Sequence, residues 1–368
     1  MSIELDAHHR LLLRAITEPG SLLSCNDAEW ELLLSMARRS RLLGYLATEL
    51  EENNSLEKVP ARVARILKCR LTEISRLHDQ ALWELNRVRW ALDGAEIPVI
   101  VLKGVAYIFA HLLAARGRYF ADVDLLIPRD RLDQFESLLL SRGWRQPKLS
   151  AYDDHYYRAW SHEIPALVHG ERTTEIDAHH TIAPLTSGIR VDAQLLFDRA
   201  IEAGREGFKI LCPVDMVLHC AVNLFQNNEL SDDLRDLLDL HEMLLQFSSA
   251  VPDFWMLLVA RTNELKLGQP LFYGIQFARR IFKTPVPTGV EYGLAQKPNR
   301  LAQRLMHSLV PLALLPLHPD SPSYQARLAR LLLFCRSHWI RMPLHLLVIH
   351  VSYKFWKMLF SRGDEPAR

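Results

Sequence analysis

Val99–Ile127 reads V-I-V-L-K-G-V-A-Y-I-F-A-H-L-L-A-A-R-G-R-Y-F-A-D-V-D-L-L-I: an apolar strand, a Lys-Gly turn, a helix, and a second strand carrying two aspartates. Asp122 and Asp124 stand two apart, so on a β-strand their side chains leave the same face while Val123 points the other way. Two carboxylates then converge on one small volume. Like charges held that close are costly unless a cation neutralises them, and oxygen donors on a rigid strand suit Mg²⁺. An Asp-x-Asp pair also occurs on the wet face of an edge strand, where the acids only keep that face hydrated. Here Leu125, Leu126 and Ile127 continue as an apolar run, which fits a strand buried on both faces. Charge in such a strand needs a reason, and the pair predicts a divalent-metal site.

Around this stretch the hydrophobic spacing predicts a strand at Ile97–Leu102, a helix at Val105–Ala115, a strand at Tyr119–Ile127 and a helix at Arg131–Ser141 stopped by Gly143. Further strands are expected at His155–Trp160, Ala166–His169 and Glu175–Thr181. On the last of these, Glu175, Asp177 and His179 alternate with Ile176 and Ala178 and so share one face. Upstream, Trp30, Leu33, Leu34 and Ala37, then Leu77, Ala81, Leu85, Val88 and Leu92, recur at helical spacing, with Arg38, Arg39 and Arg41 as a solvated face. From Val191 onward the pattern returns to helix, notably Asp215–Phe225 and Leu234–Phe247. In the latter, Asp236 and Asp239 share a face near the N-terminus and read as solvated acids favoured by the helix dipole.

Two groups of breakers, Pro285, Pro287 and Gly289, then Pro316, Pro319 and Pro322, precede a basic helical stretch at Tyr324–Phe360. The fold class predicted is α+β: a small mixed-sheet core at residues 94–190, flanked by helical modules at 1–93 and 191–284 and a C-terminal basic helical region at 285–368.

Leu102–Gly104 (L-K-G) and Arg118–Ile127 (R-Y-F-A-D-V-D-L-L-I) together resemble the uncharacterised nucleotidyltransferase family, within the DNA polymerase beta-type nucleotidyltransferase superfamily. Thr174–His180 (T-E-I-D-A-H-H) is similar to that family's later acidic strand. The likeness extends to helical segments at Trp30–Leu46, Pro213–His219 and Leu234–His241, so it spans most of the chain. It implies a nucleotidyltransferase core in which Asp122, Asp124 and Asp177 are catalytic and hold two Mg²⁺ ions. It also implies that Lys103, Gly104 and Arg118 bind the nucleoside triphosphate. Glu175, His179 and Asp239 are further candidates, Glu175 as an alternative metal ligand, His179 as an orienting or substrate-contacting group, and Asp239 behind the first three. Val105 departs from the small residue that related enzymes place after the Lys-Gly turn, leaving less room for close backbone approach to phosphate.

The activity so implied is Mg²⁺-dependent transfer of a nucleoside monophosphate from a triphosphate, ATP among the candidates, to an acceptor hydroxyl on a small molecule, protein or RNA. Two alternatives stand beside it. One is a toxin-like transferase acting on tRNA, because Lys-Gly turns with Asp-x-Asp also occur in toxin nucleotidyltransferases. The other is a catalytically degenerate protein that binds nucleotide or a partner.

Composition bounds these readings. Lys and Arg total 44 against 43 Asp and Glu in 368 residues, a formal net charge of +1, which argues against a wholly basic nucleic-acid coat. Cys25, Cys69, Cys212, Cys220 and Cys335 are scattered, odd in number and without Cys-x-x-Cys spacing, so neither a disulfide framework nor a structural zinc site is indicated. Met1–Arg10, with Glu4, Asp6 and two histidines, lacks the basic start and apolar core of a signal peptide, and the expected location is cytoplasmic. No stretch reaches the roughly 20 apolar residues of a spanning helix. Tyr353, Lys354, Phe355, Trp356 and Lys357 have the aromatic and cationic character of a membrane-surface helix, although such a helix more often caps a core. The P-loop, G-x-G-x-x-G, H-E-x-x-H and G-x-S-x-G patterns are absent.

Overall fold

The computed structural model describes residues 6–120, 122–204 and 207–360, with side chains through 353. Glu4 and the side chains of Lys354, Phe355, Trp356 and Lys357 lie outside the described residues. Among the described residues seven strands form one mixed sheet: β1 (Ile100–Val101), β2 (Asp122–Leu126), β3 (Trp144–Arg145), β4 (Leu167–His169), β5 (Glu175–His179), β6 (Ile201–Glu202) and β7 (Lys209–Ile210). Their order across the sheet is β3-β4-β5-β2-β1-β7-β6. β2 lies near the middle, antiparallel to β1 and parallel to β5. Val123, Leu125, Leu126 and Ile127 are buried, so the apolar run after the aspartates does sit inside the protein.

Helices surround this sheet, giving the α+β architecture expected. Upstream stand Ala7–Thr17, Asp27–Arg39, Leu43–Glu52 and Ala61–Ala91. The second begins with a reciprocal cap in which Asn26 accepts from the Glu29 N–H and Glu29 accepts from the Asn26 N–H. Downstream, Pro213–Val222, Leu234–Ala250, Phe254–Glu264 and Gly268–Phe282 pack together. A buried ion pair between Arg261 and Asp215, 2.7 Å at both contacts, joins two of them. Sheet and helices share one apolar core running from Leu12 to Leu333.

Two readings of the sequence need correction. His155–Trp160 is not a strand: Ala151–Ala159 is a helix. The Ser150 hydroxyl caps it by accepting from the Asp153 N–H, and Arg158 pairs with Asp154 one turn back and with Glu136 across the packing. The aromatic residues that looked alternating are better described by Tyr152 and Tyr156, four apart and both facing His350. The stretch after Val191 is also not wholly helical. β7 pairs in parallel with β1, and the Lys209 N–H donates to the Val99 carbonyl, so these residues cover what would otherwise be a bare sheet edge.

One close approach fixes the N-terminal helices on the sheet. Gly44, in Leu43–Glu52, lies against Gly117 in the turn before β2, and a Cβ on Gly44 would come within 2.3 Å of the Gly117 carbonyl oxygen. Gly117 itself has φ +57°, which glycine adopts without steric cost. Arg116 beside it pairs with Glu49 at 2.8 Å and with Glu52 on the same helix. Gly44→Ala is therefore expected to destabilise the protein by about 1–3 kcal/mol in urea denaturation. Gly20→Ala, where nothing lies within 4 Å of the added atom, serves as a near-neutral control. Equal midpoints for the two variants would contradict the close approach.

Candidate functional site

Strand register assembles the acidic residues. β2 and β5 pair so that Asp122 stands opposite Glu175, Asp124 opposite Asp177, and Leu126 opposite His179. Alternation then turns Asp122, Asp124 and Asp177 to the same side, and one carboxylate oxygen from each lies within 4.8 Å of the others. Glu175 is exposed at the start of β5 and stands outside that group.

Lys103 reaches the site from the turn after β1. The Leu102 N–H donates to the Asp124 carbonyl at 2.9 Å, which fixes the turn against β2. Lys103 adopts φ +47°, a left-handed conformation that costs a non-glycine residue of order 1 kcal/mol and recurs at functional sites. Its ammonium lies 2.5 Å from Asp124 Oδ1. Gly104 follows with no room for a side chain, since a Cβ there would meet the Phe120 ring at 2.9 Å and Arg118 Nε at 3.3 Å.

His179 Nε2 lies 2.9 Å from the same Asp124 oxygen, and its Nδ1 lies 3.4 Å from Glu163 Oε2. Asp124 is thus gripped by an ammonium and an imidazole. Burial alone would raise its pKa, but Lys103 and His179 outweigh this and hold it well below the usual carboxylate range. The other two acids lack that compensation. Burial and then the Asp124 charge push Asp177 up to about 7, and the same two causes raise Asp122. The donor set is oxygen-only, and at two of its three positions burial and carboxylate repulsion outweigh the pull of Lys103 and His179, which fits a hard divalent cation. His219, pushed down to about 3 chiefly by burial and then by Lys103 and His179, borders the site as a neutral imidazole.

The remaining candidates sit elsewhere. Arg118 is committed to protein carboxylates: its guanidinium pairs with Asp236 at 3.2 Å and with Asp239. Asp239 also accepts from Arg235 at 2.7 Å, and Arg235 donates to the carbonyls of Arg116 and Ala114. Arg41 closes the group from the N-terminal helices, 2.9 Å from both Asp233 and Asp236. Asp236 and Asp239 are thus buried and charge-paired, not solvated, because Arg41 and Arg118 from distant parts of the chain join Arg235 of the same helix around them. Arg41 belongs to this clasp and not to a free solvated face. Asp122 also bears electrostatically on Arg41, so the clasp adjoins the acidic trio. A cavity of about 320 Å³ lined by Arg38, Arg41, Arg70 and Tyr119 opens beside it.

Sequence reasoning passed over Glu163, His162 and His219. The first two lie in a loop whose pairing to β5 is a single bridge, Glu163 to His179, which no periodicity announces. His219 sits within an apolar helix, at the end of the Pro213–His219 stretch, where no spacing marks it as a site residue.

The family model of the uncharacterised nucleotidyltransferases matches residues 26–283, and the chain belongs to that family. No curated protein and no solved structure matches the chain.

Asp239 tests the clasp. Asp239→Asn leaves the buried Arg235 without its ion-pair partner and Arg118 with Asp236 alone, and the expected loss of stability in urea denaturation is about 3–5 kcal/mol. A loss under about 0.5 kcal/mol, the range of ordinary surface substitutions, would contradict this assignment.

Proposed function

We propose that the protein transfers a nucleoside monophosphate from a nucleoside triphosphate to an acceptor hydroxyl, with Asp122, Asp124 and Asp177 holding Mg²⁺. The observation that carries this is the convergence of the three carboxylates from two paired strands beside Lys103. Membership of a nucleotidyltransferase family supports the reaction class.

When bound, Mg²⁺ supplies Lewis-acid neutralisation of phosphate charge and lowers the pKa of an oxygen bound to it. The protein's own groups do the rest. Asp122 and Asp124 leave a buried strand on one face, so their positions are fixed before substrate arrives and cost little reorganisation. Lys103, now on Asp124, is placed to exchange that partner for a triphosphate oxygen as a point charge. Gly104 lets the turn pack closely on Phe120 and Arg118 next to it. His179, braced by Glu163, keeps the Asp124 carboxylate in one orientation, as groups behind metal-binding carboxylates commonly do. Asp177, opposite Asp124, takes the proton of the acceptor hydroxyl. That oxygen forms a bond to the α-phosphorus, the bond between the α-phosphorus and the bridging oxygen breaks, and pyrophosphate leaves. Arg38 lines a cavity next to this chemistry, beside Arg41 and Arg70, which are paired with Asp233 and Asp236 and with Glu73.

The test uses α-labelled ATP, GTP, CTP and UTP, each mixed with protein, Mg²⁺ and cell extract, with and without added RNA. Label is expected to move to an acceptor, to stop when the metal is chelated, and to return with Mg²⁺. Asp122→Ala and Asp124→Ala are each expected to lose at least about a hundredfold in rate, the scale of removing one preorganised electrostatic group. Transfer by either variant at the native rate would reject the assignment.

A further inference from the structure

The family match ends at residue 283, and the helices beyond it present an unusual surface. Tyr324–Arg341 packs against Arg300–Leu314 through Ala326, Ala329, Leu333 and Ser337, mostly small residues. Its large apolar residues face outward. Tyr324, Leu328, Leu331, Cys335 and Trp339, spaced four, three, four and four apart, form one helical stripe. Tyr324 is 79 % exposed, Leu331 58 % and Trp339 62 %. The next helix, Leu344–Phe360, repeats the pattern with Leu344, Val348 and Val351 on one face, each more than half exposed. Its inner side is held by polar and aromatic contacts: Tyr353 stacks on Tyr152 at 4.0 Å and donates to the Ser150 hydroxyl at 2.8 Å.

Two helices that expose their large apolar residues while burying small ones lose the burial energy of each, about 1.5–3 kcal/mol per side chain, unless something covers them. Charge says what kind of cover fits. Tyr324–Phe360 contains no Asp or Glu, while it carries Arg327, Arg330, Arg336, Arg341, Lys354 and Lys357. Arg330 is bound to Asp232, Arg336 donates to the Phe225 carbonyl and Arg341 to Ser337, whereas Arg327 is exposed beside the apolar stripe. A second copy of this surface would bring like charge to like charge. An anionic bilayer supplies apolar depth for leucine and valine, an interface for tryptophan and tyrosine, and phosphate for arginine. Among the described residues no helix is long and apolar enough to cross a membrane, so contact is with the surface.

We propose that Tyr324–Phe360 docks the protein on the surface of membranes containing anionic phospholipid. This rests on the helix faces alone and is independent of the transfer chemistry. The full chain is sedimented with vesicles of pure phosphatidylcholine and of phosphatidylcholine mixed with phosphatidylglycerol, at low and high salt. Binding to the anionic vesicles is expected at least about tenfold tighter than to the neutral ones, and weaker in high salt. Leu331→Glu with Trp339→Glu, both at exposed positions, is expected to cost at least about tenfold in binding while far-ultraviolet circular dichroism stays native. Leu328→Ser with Leu331→Ser gives the same direction without adding charge. Failure to sediment with phosphatidylglycerol vesicles would overturn the proposal. So would native binding by both double variants, or light scattering showing a dimer that these substitutions dissolve.

Discussion

Parallel pairing of β2 with β5, in the register that sets Asp124 opposite Asp177, brings three carboxylates within 4.8 Å of one another, and much of the surrounding structure serves to hold that charge. A strand buried on both sides is a poor place for an anion. Asp124 is tolerated there because Lys103 and His179 both contact one of its oxygens, and Glu163 braces the histidine from behind. For the other two carboxylates burial and the Asp124 charge outweigh the pull of Lys103 and His179. A site that compensates one acid fully and two only in part has the electrostatics that the proposed hard cation with oxygen preference would complete. Lys103 is held in this position by a left-handed backbone, a local cost accepted where the ammonium must stand over the strand.

A second charge cluster supports the first from the side. Arg41, Arg118 and Arg235 come from an N-terminal helix connection, the approach to β2 and the Leu234–Ala250 helix, and they meet at Asp236 and Asp239. Buried pairs of this kind are weak sources of net stability, since desolvation offsets most of the attraction, but removing one partner strands the others. The clasp therefore fixes geometry more than it adds energy. It ties the N-terminal helices and the Leu234–Ala250 helix to the approach to the strand that carries Asp122, and the contact of Gly44 with Gly117 fixes the N-terminal side through backbone shape.

How much of this could be read from the chain depended on whether the signal was local. Asp-x-Asp on an apolar strand, a Lys-Gly turn and a second acidic strand are short patterns with fixed side-chain periodicity, so the trio and Lys103 were legible before any fold. Arg118 stood out through the family resemblance, but its partners come from a helix more than a hundred residues away. Asp236 and Asp239 looked like ordinary acids of a helix first turn because nothing local announces that Arg41 and Arg118 join the neighbouring Arg235 there. The Ala151–Ala159 helix was misread because crowded aromatics mimic strand alternation, while its true determinant is the Ser150 cap. β6 and β7 were missed for their brevity: two residues each cannot display a period.

The central claim is that Asp122, Asp124 and Asp177 form one divalent-cation site. Mn²⁺ titration followed by electron paramagnetic resonance, which counts free aqueous ion and needs no substrate or acceptor, tests it most directly. The account predicts saturable Mn²⁺ binding by the native protein, competed by Mg²⁺, and weakened at least about tenfold in both Asp124→Asn and Asp177→Asn. Mn²⁺ affinity unchanged by either substitution would contradict it.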